Sequence, residues 1–404
     1  MRKIFMNISK QIKILTLTLL PICLLGMESQ DAILQEKIDS YIKAQVDLEQ
    51  FSGSILVARK GKIILSKGYG YANAELQIPC TPQTQFCIGS CTKSFTALMI
   101  MMLQKQEKLN VKNTLDTYFP DYPRGKEITI HQLLTHASGI IDYLDIKNVN
   151  KKLQLPFAEY KDKPIQPLSF EQLIDIFKNE PLKFNPGKKM SYSNSNYVLL
   201  GSIIEKASGK TYKQLLQKNI FEPFKMQKSG INYYKKVRPN QTLSYYFYPS
   251  MPTEFDLSGA GDGSIYSTVE DLYHFNREMK NVDPEILKQM YTPWLDSDSP
   301  NAKIGYGWFI DQIEGHRRIS HDGGINGFVS LISRFPDDDV CIILCYNVTV
   351  TACPFVQISN DITALVFTGS CNRPRKTWWR RALQWGSNHS LSRYVIEKAL
   401  RRFA

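Results

Sequence analysis

Strand-like segments occur near both ends of this chain, and the long stretch between them has a different, mostly helical pattern. Near the N-terminal end, apolar runs flank Arg59-Lys60-Gly61, an arrangement typical of a β-hairpin. The strand-like runs are 54–58, 62–66, 305–310, 328–333 and 340–346. We therefore expect the two ends of the chain to meet in one sheet.

Helical segments border and separate these strands. Apolar residues repeat at helical spacing within 31–51 and again within 355–367, which predicts helices that flank the sheet. The region 81–299 is mostly helical, with long loops broken by Pro and Gly. This predicts a sheet part formed by about 31–80 and 300–370, with a helical part packed beside it. A cleft between two such parts is a common place for a binding site.

The first 26 residues have the pattern of an export signal. Arg2, Lys3, Lys10 and Lys13 precede an apolar run over 14–26. That run is too short to cross a membrane comfortably but has the length of a signal core. The pattern predicts a signal peptide at 1–26, with an uncleaved signal anchor as the alternative.

The positive charge of the chain is concentrated at its C-terminal end. The net charge is +12, yet residues 373–404 alone carry nine Lys or Arg and one acid. The main body is therefore close to balanced, and nucleic acid is not an expected partner. In the extension 371–404, Trp378 and Trp379 adjoin Arg380 and Arg381, which suits an anionic membrane surface. A helix packed on the domain, or a frayed tail, explains this pattern equally well.

Ser90-Cys91-Thr92-Lys93 precedes a strongly apolar helical run. Positions three apart share a helix face, so the Lys93 amine can reach the Ser90 hydroxyl. A neutral amine can act as a base, and burial together with a positive field would lower the pKa of Lys93. Ser40-Tyr41-Ile42-Lys43 has the same spacing in a solvated helix, so the spacing alone is weak evidence.

Tyr192-Ser193-Asn194 lies between a turn and another helical run. A phenol in this position can relay a proton, and nearby cations would lower the pKa of Tyr192. Asn194 could bind a substrate amide through both its donor and its acceptor. Tyr71-Ala72-Asn73 has the same tripeptide pattern, so the tripeptide by itself indicates only a turn.

A third element, His321-Asp322-Gly323-Gly324, lies between strand-like segments. Gly323 and Gly324 would let the backbone approach a ligand closely, and an N–H there could join that of Ser90 in stabilising an oxyanion. A plain hairpin turn is the alternative.

The sequence lacks the patterns that mark several other kinds of site. The chain has no G-x-S-x-G nucleophile turn, no H-E-x-x-H zinc motif and no glycine-rich phosphate loop. No C-x-x-C pair occurs among the eight cysteines, and Cys341 and Cys345 read as apolar members of a buried strand. We expect no cofactor and no metal site.

Taken in this order and context, the three elements resemble those of the serine β-lactamase-related family, which includes class C β-lactamases, low-molecular-weight penicillin-binding proteins, D-aminopeptidases and esterases. The resemblance runs from about Phe51 to Phe367 and also involves 128–139, 184–209, 260–268 and 305–308. It implies an α/β fold of the α+β type: an antiparallel sheet flanked by helices, plus an all-helical subdomain. Together with the predicted export signal at 1–26, it points to an exported bacterial protein, periplasmic or membrane-associated.

The resemblance further implies a role for each motif residue. Ser90 would be the nucleophile, with Lys93 and Tyr192 as proton-transfer partners, either of which could be the base. Asn194 would position the substrate, and the N–H groups of Ser90 and Gly324 would form an oxyanion hole.

One departure from the family pattern bears on the substrate. True β-lactamases of this group have Lys-Thr-Gly where this chain has His321-Asp322-Gly323. A mostly neutral His attracts a β-lactam carboxylate less than a Lys does. We therefore expect an acyl-transfer hydrolase that acts on a small-molecule or peptide substrate, either a D-amino-acid peptide of the cell-wall type or a small ester. β-Lactamase activity should be weak or absent. A penicillin-binding or sensor protein that turns over poorly, or a true β-lactamase, is the alternative.

Overall fold

The computed structural model describes residues 29–147, 168–232, 240–247, 251–252, 261–299, 301–325, 327–348 and 354–374 of the 404-residue chain. The predicted signal at 1–26 and nearly all of the extension 371–404 lie outside these residues. Among the described helices, none is both long enough and apolar enough to cross a membrane.

The strands are β1 (Gly53–Arg59), β2 (Lys62–Tyr69), β3 (Tyr71–Asn73), β4 (Ile78–Pro79), β5 (Phe86–Cys87), β6 (Gly230–Ile231), β7 (Tyr245–Phe247), β8 (Met251–Pro252), β9 (Ile265–Ser267), β10 (Leu295–Asp296), β11 (Lys303–Ile304), β12 (Phe309–Ile313), β13 (His316–Ile325), β14 (Phe328–Phe335) and β15 (Val340–Tyr346). The α-helices are α1 (Gln30–Asp47), α2 (Thr92–Lys105), α3 (Ile130–Leu134), α4 (Phe170–Phe177), α5 (Asn194–Ser208), α6 (Tyr212–Leu216), α7 (Val269–Glu278), α8 (Pro284–Met290) and α9 (Phe355–Thr368). Short 3-10 helices cover Gly89–Cys91, Leu115–Thr117, Gly125–Glu127, Tyr143–Asp145 and Met279–Asn281, and a π-helical turn covers Gln217–Phe221.

The main sheet joins the two ends of the chain, as the sequence predicts. Its eight strands run in the order β10-β11-β12-β13-β14-β15-β1-β2, and every neighbouring pair is antiparallel. The early hairpin is attached through β1, where Gly53 pairs with Tyr346 and Arg59 pairs with Val340. The predicted antiparallel sheet flanked by helices is confirmed.

Two apolar cores lie on opposite faces of this sheet. Along β15, Cys341, Ile343 and Cys345 belong to the larger core, which includes α2 and α7. The alternate residues of β15 belong to the smaller core, with residues of α1 and α9. This two-residue alternation is the expected result of a strand buried on both faces. Both cysteines are buried free thiols, as predicted.

The part of the chain between the two ends is mostly helical and also contains short strands. The strands β5, β9 and β6 form a three-stranded sheet beside the helices. Several helices begin with capping boxes, in which Thr129, Ser169 and Thr211 each exchange hydrogen bonds with a glutamine three residues later. These caps fix where helices begin within a region of long loops.

Two sequence predictions about strands near the cleft are wrong. The run 305–310 is not one strand, because the chain turns between β11 and β12, where Gly307 has a φ of +73°. His321–Gly324 does not lie between strands, because it is part of β13, where Gly323 pairs with Ser330; the alternative of a plain hairpin turn fails for the same reason. In both places glycine allows a close backbone approach: a Cβ on Gly307 would lie 2.7 Å from the Lys93 carbonyl oxygen.

Candidate active site

Ser90 lies in the 3-10 turn Gly89–Cys91, immediately before α2. Gly89 has a φ of +48°, a conformation that glycine adopts at little cost. The turn leads into a helix in which Lys93 lies beneath Ser90 and is fully buried. The Lys93 Nζ atom is 2.9 Å from Ser90 Oγ, so the predicted contact between these side chains is present.

The Lys93 amine has two further hydrogen-bond partners. Its Nζ atom lies 2.7 Å from Asn194 Oδ1 and 2.7 Å from the backbone carbonyl oxygen of Asp262. Both oxygens are acceptors only, so they take two N–H groups of the amine. In the neutral amine, the remaining lone pair then faces the Ser90 hydroxyl.

Burial lowers the pKa of Lys93 to about 8, although the nearby carboxylates of Asp262 and Asp142 act in the opposite direction. Burial thus has the effect predicted from the sequence, whereas the nearby charges are negative and not positive. A pKa near 8 leaves a substantial neutral fraction of this amine in mildly alkaline solution, which is the form that acts as a base.

Tyr192 lies over the Lys93 amine at the edge of the cleft. The Lys93 Nζ atom is 5.0 Å from the centre of the Tyr192 ring, and that ring stacks on His136 with 4.4 Å between ring centres. Burial raises the pKa of Tyr192 well above its ordinary value, and a hydrogen bond with Ser90 opposes this only in part. The expected lowering of the Tyr192 pKa is therefore wrong, and the phenol keeps its proton.

Asn194 is the first residue of α5, and both ends of its amide contact the protein. Its Oδ1 atom accepts the hydrogen bond from Lys93, while its Nδ2 atom donates to Asp142 Oδ2 at 2.8 Å. Asn194 is not among the residues that line the cleft. The structure places it against the lysine, whereas the family resemblance implies contact with substrate.

β13 lies directly against the turn that carries Ser90. A Cβ on Gly323 would be 2.0 Å from the Ile88 carbonyl oxygen and 2.9 Å from the Ser90 nitrogen. A Cβ on Gly89 would be 3.2 Å from backbone atoms of Gly324. These close approaches bring the backbones of the two predicted oxyanion-hole residues, Ser90 and Gly324, side by side.

His321 is buried within β13 and stays neutral near pH 7. Its Nδ1 atom lies 2.6 Å from the carbonyl oxygen of Asp322 and must donate, because that oxygen only accepts. Burial lowers the pKa of His321 to about 4, with the adjacent Asp322 opposing the shift. His321 thus contributes an uncharged ring to the cleft.

A cleft of about 340 Å³ opens above these groups. It is lined by Ser90, Met190, Tyr192, Asp298, Ser299, Phe309, His321, Asp322 and Gly324. Four predicted site residues therefore line one cleft, while Lys93, Asn194 and Gly323 lie behind its wall. Among the described residues, no group of His, Cys, Asp or Glu side chains has the geometry to hold a metal ion.

The second S-x-x-K sequence, at 40–43, and the second Tyr-x-Asn sequence, at 71–73, do not line the cleft. Ser40 is exposed on α1, and Lys43 forms an ion pair with Asp39 at 2.8 Å. Tyr71 is 41% exposed, in the short strand β3. The interpretation of both motifs as incidental agrees with these positions.

Sequence reasoning missed three buried groups that surround the lysine: Asp142, Tyr143 and Asp262. Tyr143 donates its hydroxyl hydrogen bond to Asp262 Oδ2 at 2.9 Å, and Asp142 accepts from Asn194. Asp142 and Asn194 are 52 positions apart, and Lys93 and Asp262 are 169 apart. Spacing patterns relate residues that are a few positions apart, so they cannot predict contacts over such separations.

Comparison with known proteins identifies the family. The sequence profile of the family described as Beta-lactamase matches residues 38–356, most of the chain. The chain belongs to the beta-lactamase family. A penicillin-binding protein of Bacillus subtilis (strain 168) is 29% identical over 321 residues, which is 74% of this chain and 68% of that protein.

Solved structures of other proteins have the same fold. A penicillin-binding protein from Bacillus halodurans superposes with a TM-score of 0.70 at 26% identity, covering 80% of this chain and 99% of that one. A D-amino acid amidase from Ochrobactrum anthropi SV3 superposes with a TM-score of 0.71 at 22% identity, covering 83% and 99%. The amidase likeness shows the fold alone.

Proposed function

We propose that this chain is a serine hydrolase that forms an acyl-enzyme on Ser90. The three hydrogen bonds of Lys93 carry the proposal, because two of them go to oxygens that only accept. The lone pair of the neutral amine is thereby directed at the Ser90 hydroxyl. As Ser90 Oγ attacks a substrate carbonyl carbon, its proton passes to Lys93 Nζ.

Tyr192 supplies the proton for the leaving group. Its phenol is protonated and hydrogen-bonded to Ser90, so it lies where the departing amine or alkoxide forms. The proton held by Lys93 then restores the phenol, and water cleaves the acyl-enzyme by the same transfers in reverse. The N–H groups of Ser90 and Gly324 stabilise the carbonyl oxygen as it becomes negative.

The charges of the cleft support substrates that carry an amino group. Asp298 and Asp322 line the cleft, and neither carboxylate has a hydrogen bond or ion pair with another described residue. His321 is neutral, and no Lys or Arg is among the described lining residues. An ammonium group is attracted here and a free carboxylate is repelled, by about 1 kcal/mol for an exposed pair of charges at contact.

Among D-amino-acid peptides of the cell-wall type, this charge favours those with a free N-terminal amine over those with a C-terminal carboxylate. Small uncharged esters are also suitable substrates, because they can form the same acyl-enzyme and carry no carboxylate for the cleft to repel. β-Lactams carry a carboxylate and meet no cationic side chain among the described lining residues, so we propose that they acylate slowly or not at all.

Hydrolysis of D-alanine p-nitroanilide, its N-acetyl derivative, a p-nitrophenyl ester and a chromogenic cephalosporin tests the proposal. We expect turnover of the first and third substrates, and roughly fivefold lower kcat/KM for the acetylated anilide because the ammonium charge is removed. Ser90→Ala should abolish turnover and labelling by a fluorophosphonate. Ser40→Ala is the matched control, because Ser40 belongs to the other S-x-x-K sequence and is exposed.

Equal labelling of Ser90→Ala and the wild-type protein would refute the assignment of Ser90. Stoichiometric acylation without turnover would instead support the alternative, a penicillin-binding or sensor protein. Faster hydrolysis of the cephalosporin than of the anilide would refute the substrate class and leave the nucleophile assigned.

Two further parts of the proposal rest on sequence patterns alone. We propose export through residues 1–26, which deletion of this segment should prevent in a bacterial host. We also propose contact of 371–404 with an anionic membrane, which predicts weaker sedimentation with anionic liposomes after truncation at Ser370. Unchanged sedimentation of the truncated chain would refute that contact.

A further inference from the structure

Two neighbouring residues, Asp142 and Tyr143, connect to both protein acceptors of the Lys93 amine. Asp142 accepts a hydrogen bond from the Asn194 side chain, whose Oδ1 atom accepts one from Lys93. Tyr143 holds the side chain of Asp262, whose carbonyl oxygen accepts from Lys93. Neither Asp142 nor Tyr143 contacts the Ser90 hydroxyl or lines the cleft.

The Asp142 carboxylate is 8% exposed and accepts three N–H hydrogen bonds. Its Oδ1 atom accepts from the Leu144 nitrogen at 3.0 Å. Its Oδ2 atom accepts from the Asn194 nitrogen at 3.1 Å and from Asn194 Nδ2 at 2.8 Å. An ionised carboxylate can only accept, so it fixes the Asn194 amide with nitrogen toward Asp142 and oxygen toward Lys93.

Asp142 also supplies the cap that α5 lacks from its own sequence. Ser193 precedes the helix, but its buried hydroxyl has no hydrogen-bond partner among the residues that the structure describes. The Asp142 carboxylate instead accepts the N–H of Asn194, the first residue of the helix. A negative charge is favourable at a helix N-terminus, which stabilises the Asp142 carboxylate at this position. The carboxylate in turn fixes Asn194 through the hydrogen bonds that it accepts.

Tyr143 is connected to the same two segments. Its backbone nitrogen donates to Ser195 Oγ at 2.9 Å, and Ser195 Oγ donates to the Ile141 carbonyl oxygen at 2.7 Å. Its hydroxyl reaches Asp262 Oδ2 at 2.9 Å. The segment 141–143 is therefore bound on one side to the start of α5 and on the other to Asp262.

We propose that Asp142 and Tyr143 are positioning residues, which together hold the two acceptors that aim the Lys93 lone pair at Ser90. This inference rests on the proposed function, because it assigns these residues a role in the proton transfer from Ser90. Asp142 has a second effect, since its negative charge favours the protonated form of Lys93.

The pH dependence of the reaction distinguishes positioning from a merely structural role. The titratable groups that face Lys93 are Cys91, His136, Asp142, Tyr192, Tyr197, Asp262, His321 and Asp322. Removing the charge of Asp142 lowers the pKa of the amine. The acid limb of the kcat/KM profile should therefore move to lower pH in Asp142→Asn, which keeps the size of the side chain.

The test compares two variants with two matched controls. Asp142→Asn and Tyr143→Phe should each lower kcat for the p-nitrophenyl ester by about 10- to 100-fold, with KM changed less than threefold, as expected for a displaced proton acceptor. Asp145→Asn, which removes the charge of an exposed ion pair with Lys183, is the acid control. Tyr122→Phe, at a buried tyrosine without a hydroxyl hydrogen bond to a described residue, is the phenol control.

The outcomes separate failure of this inference from failure of the proposed function. If Ser90→Ala retains wild-type turnover, the proposed function fails. If Ser90→Ala is inactive while Asp142→Asn and Tyr143→Phe match their controls in rate and pH profile, only the positioning roles are refuted. If loss of the α5 cap prevents Asp142→Asn from folding, Tyr143→Phe alone decides, because it removes a single hydroxyl from the network.

Discussion

Gly323→Ala is the substitution with the most direct geometric consequence for the candidate active site. The added Cβ would lie 2.0 Å from the Ile88 carbonyl oxygen, 2.7 Å from Ser330 Oγ and 2.9 Å from the Ser90 nitrogen. Ordinary contacts of this kind begin at 3.4 Å, so β13 and the Ser90 turn must separate by about 1.4 Å. Two of the three atoms belong to backbone and cannot rotate away.

This separation should affect activity more than stability. Overpacking of a buried site costs about 1–3 kcal/mol, which a protein of this size can tolerate. The N–H groups of Ser90 and Gly324 would no longer be close enough to share one oxyanion, and loss of one such donor costs about 100- to 1,000-fold in kcat. We expect a folded variant whose kcat is reduced at least 100-fold.

The assay is kcat for a p-nitrophenyl ester together with thermal unfolding of the same sample. Gly263→Ala is the control, because its Cβ would lie 3.8 Å from the nearest atom, on Gly89, which is an ordinary contact. This control should stay within threefold of wild type. A Gly323→Ala variant with normal melting temperature and more than a third of wild-type kcat would refute the proposed oxyanion hole.

Three other predictions concern charge. With an uncharged ester, kcat/KM should fall about tenfold per unit as the pH drops below about 8, because protonated Lys93 has no lone pair; a flat profile from pH 6 to 9 would contradict a lysine base. His321→Lys should raise kcat/KM for a chromogenic cephalosporin by about tenfold, as expected for a new charge-assisted hydrogen bond to its carboxylate; an unchanged value would show that the carboxylate does not bind there. Burial would raise the pKa of Asp39, but hydrogen bonds from Lys43, Lys67 and Tyr69 lower it overall. The pKa of Asp39 is lower in the folded state than in the unfolded state, so Asp39→Asn should lower the melting temperature at neutral pH. The difference in melting temperature from the wild-type protein should shrink below about pH 4. A difference that stays constant with pH would argue against this charge pairing.

Much of the architecture follows from local pattern. The hairpin at 54–66, the strand 340–346 and the helix that starts near 355 occur where apolar periodicity predicts them. The Ser90–Lys93 contact is also local, because three-residue spacing at the start of a helix brings the two side chains onto one face. Periodicity and helix geometry depend on residues that are close together in the chain, so both can be predicted from the sequence.

Only the tertiary structure decided the surroundings of the lysine. Asp142, Tyr143 and Asp262 come together around Lys93 through hydrogen bonds between residues 52 to 169 positions apart, and nothing in their flanking residues marks them. The resemblance to a family predicted that Tyr192 and β13 would converge on Ser90, but the chemistry of single motifs did not.

The protonation states also belong to the folded structure. Sequence reasoning predicted a lowered pKa for Tyr192, whereas burial raises it. It placed His321–Gly324 between strands, whereas pairing with β14 makes this segment part of a strand that faces the nucleophile. The residues present fix which groups can carry a proton. Burial and long-range packing, which are properties of the whole chain, decide which group holds one and which neighbour it faces.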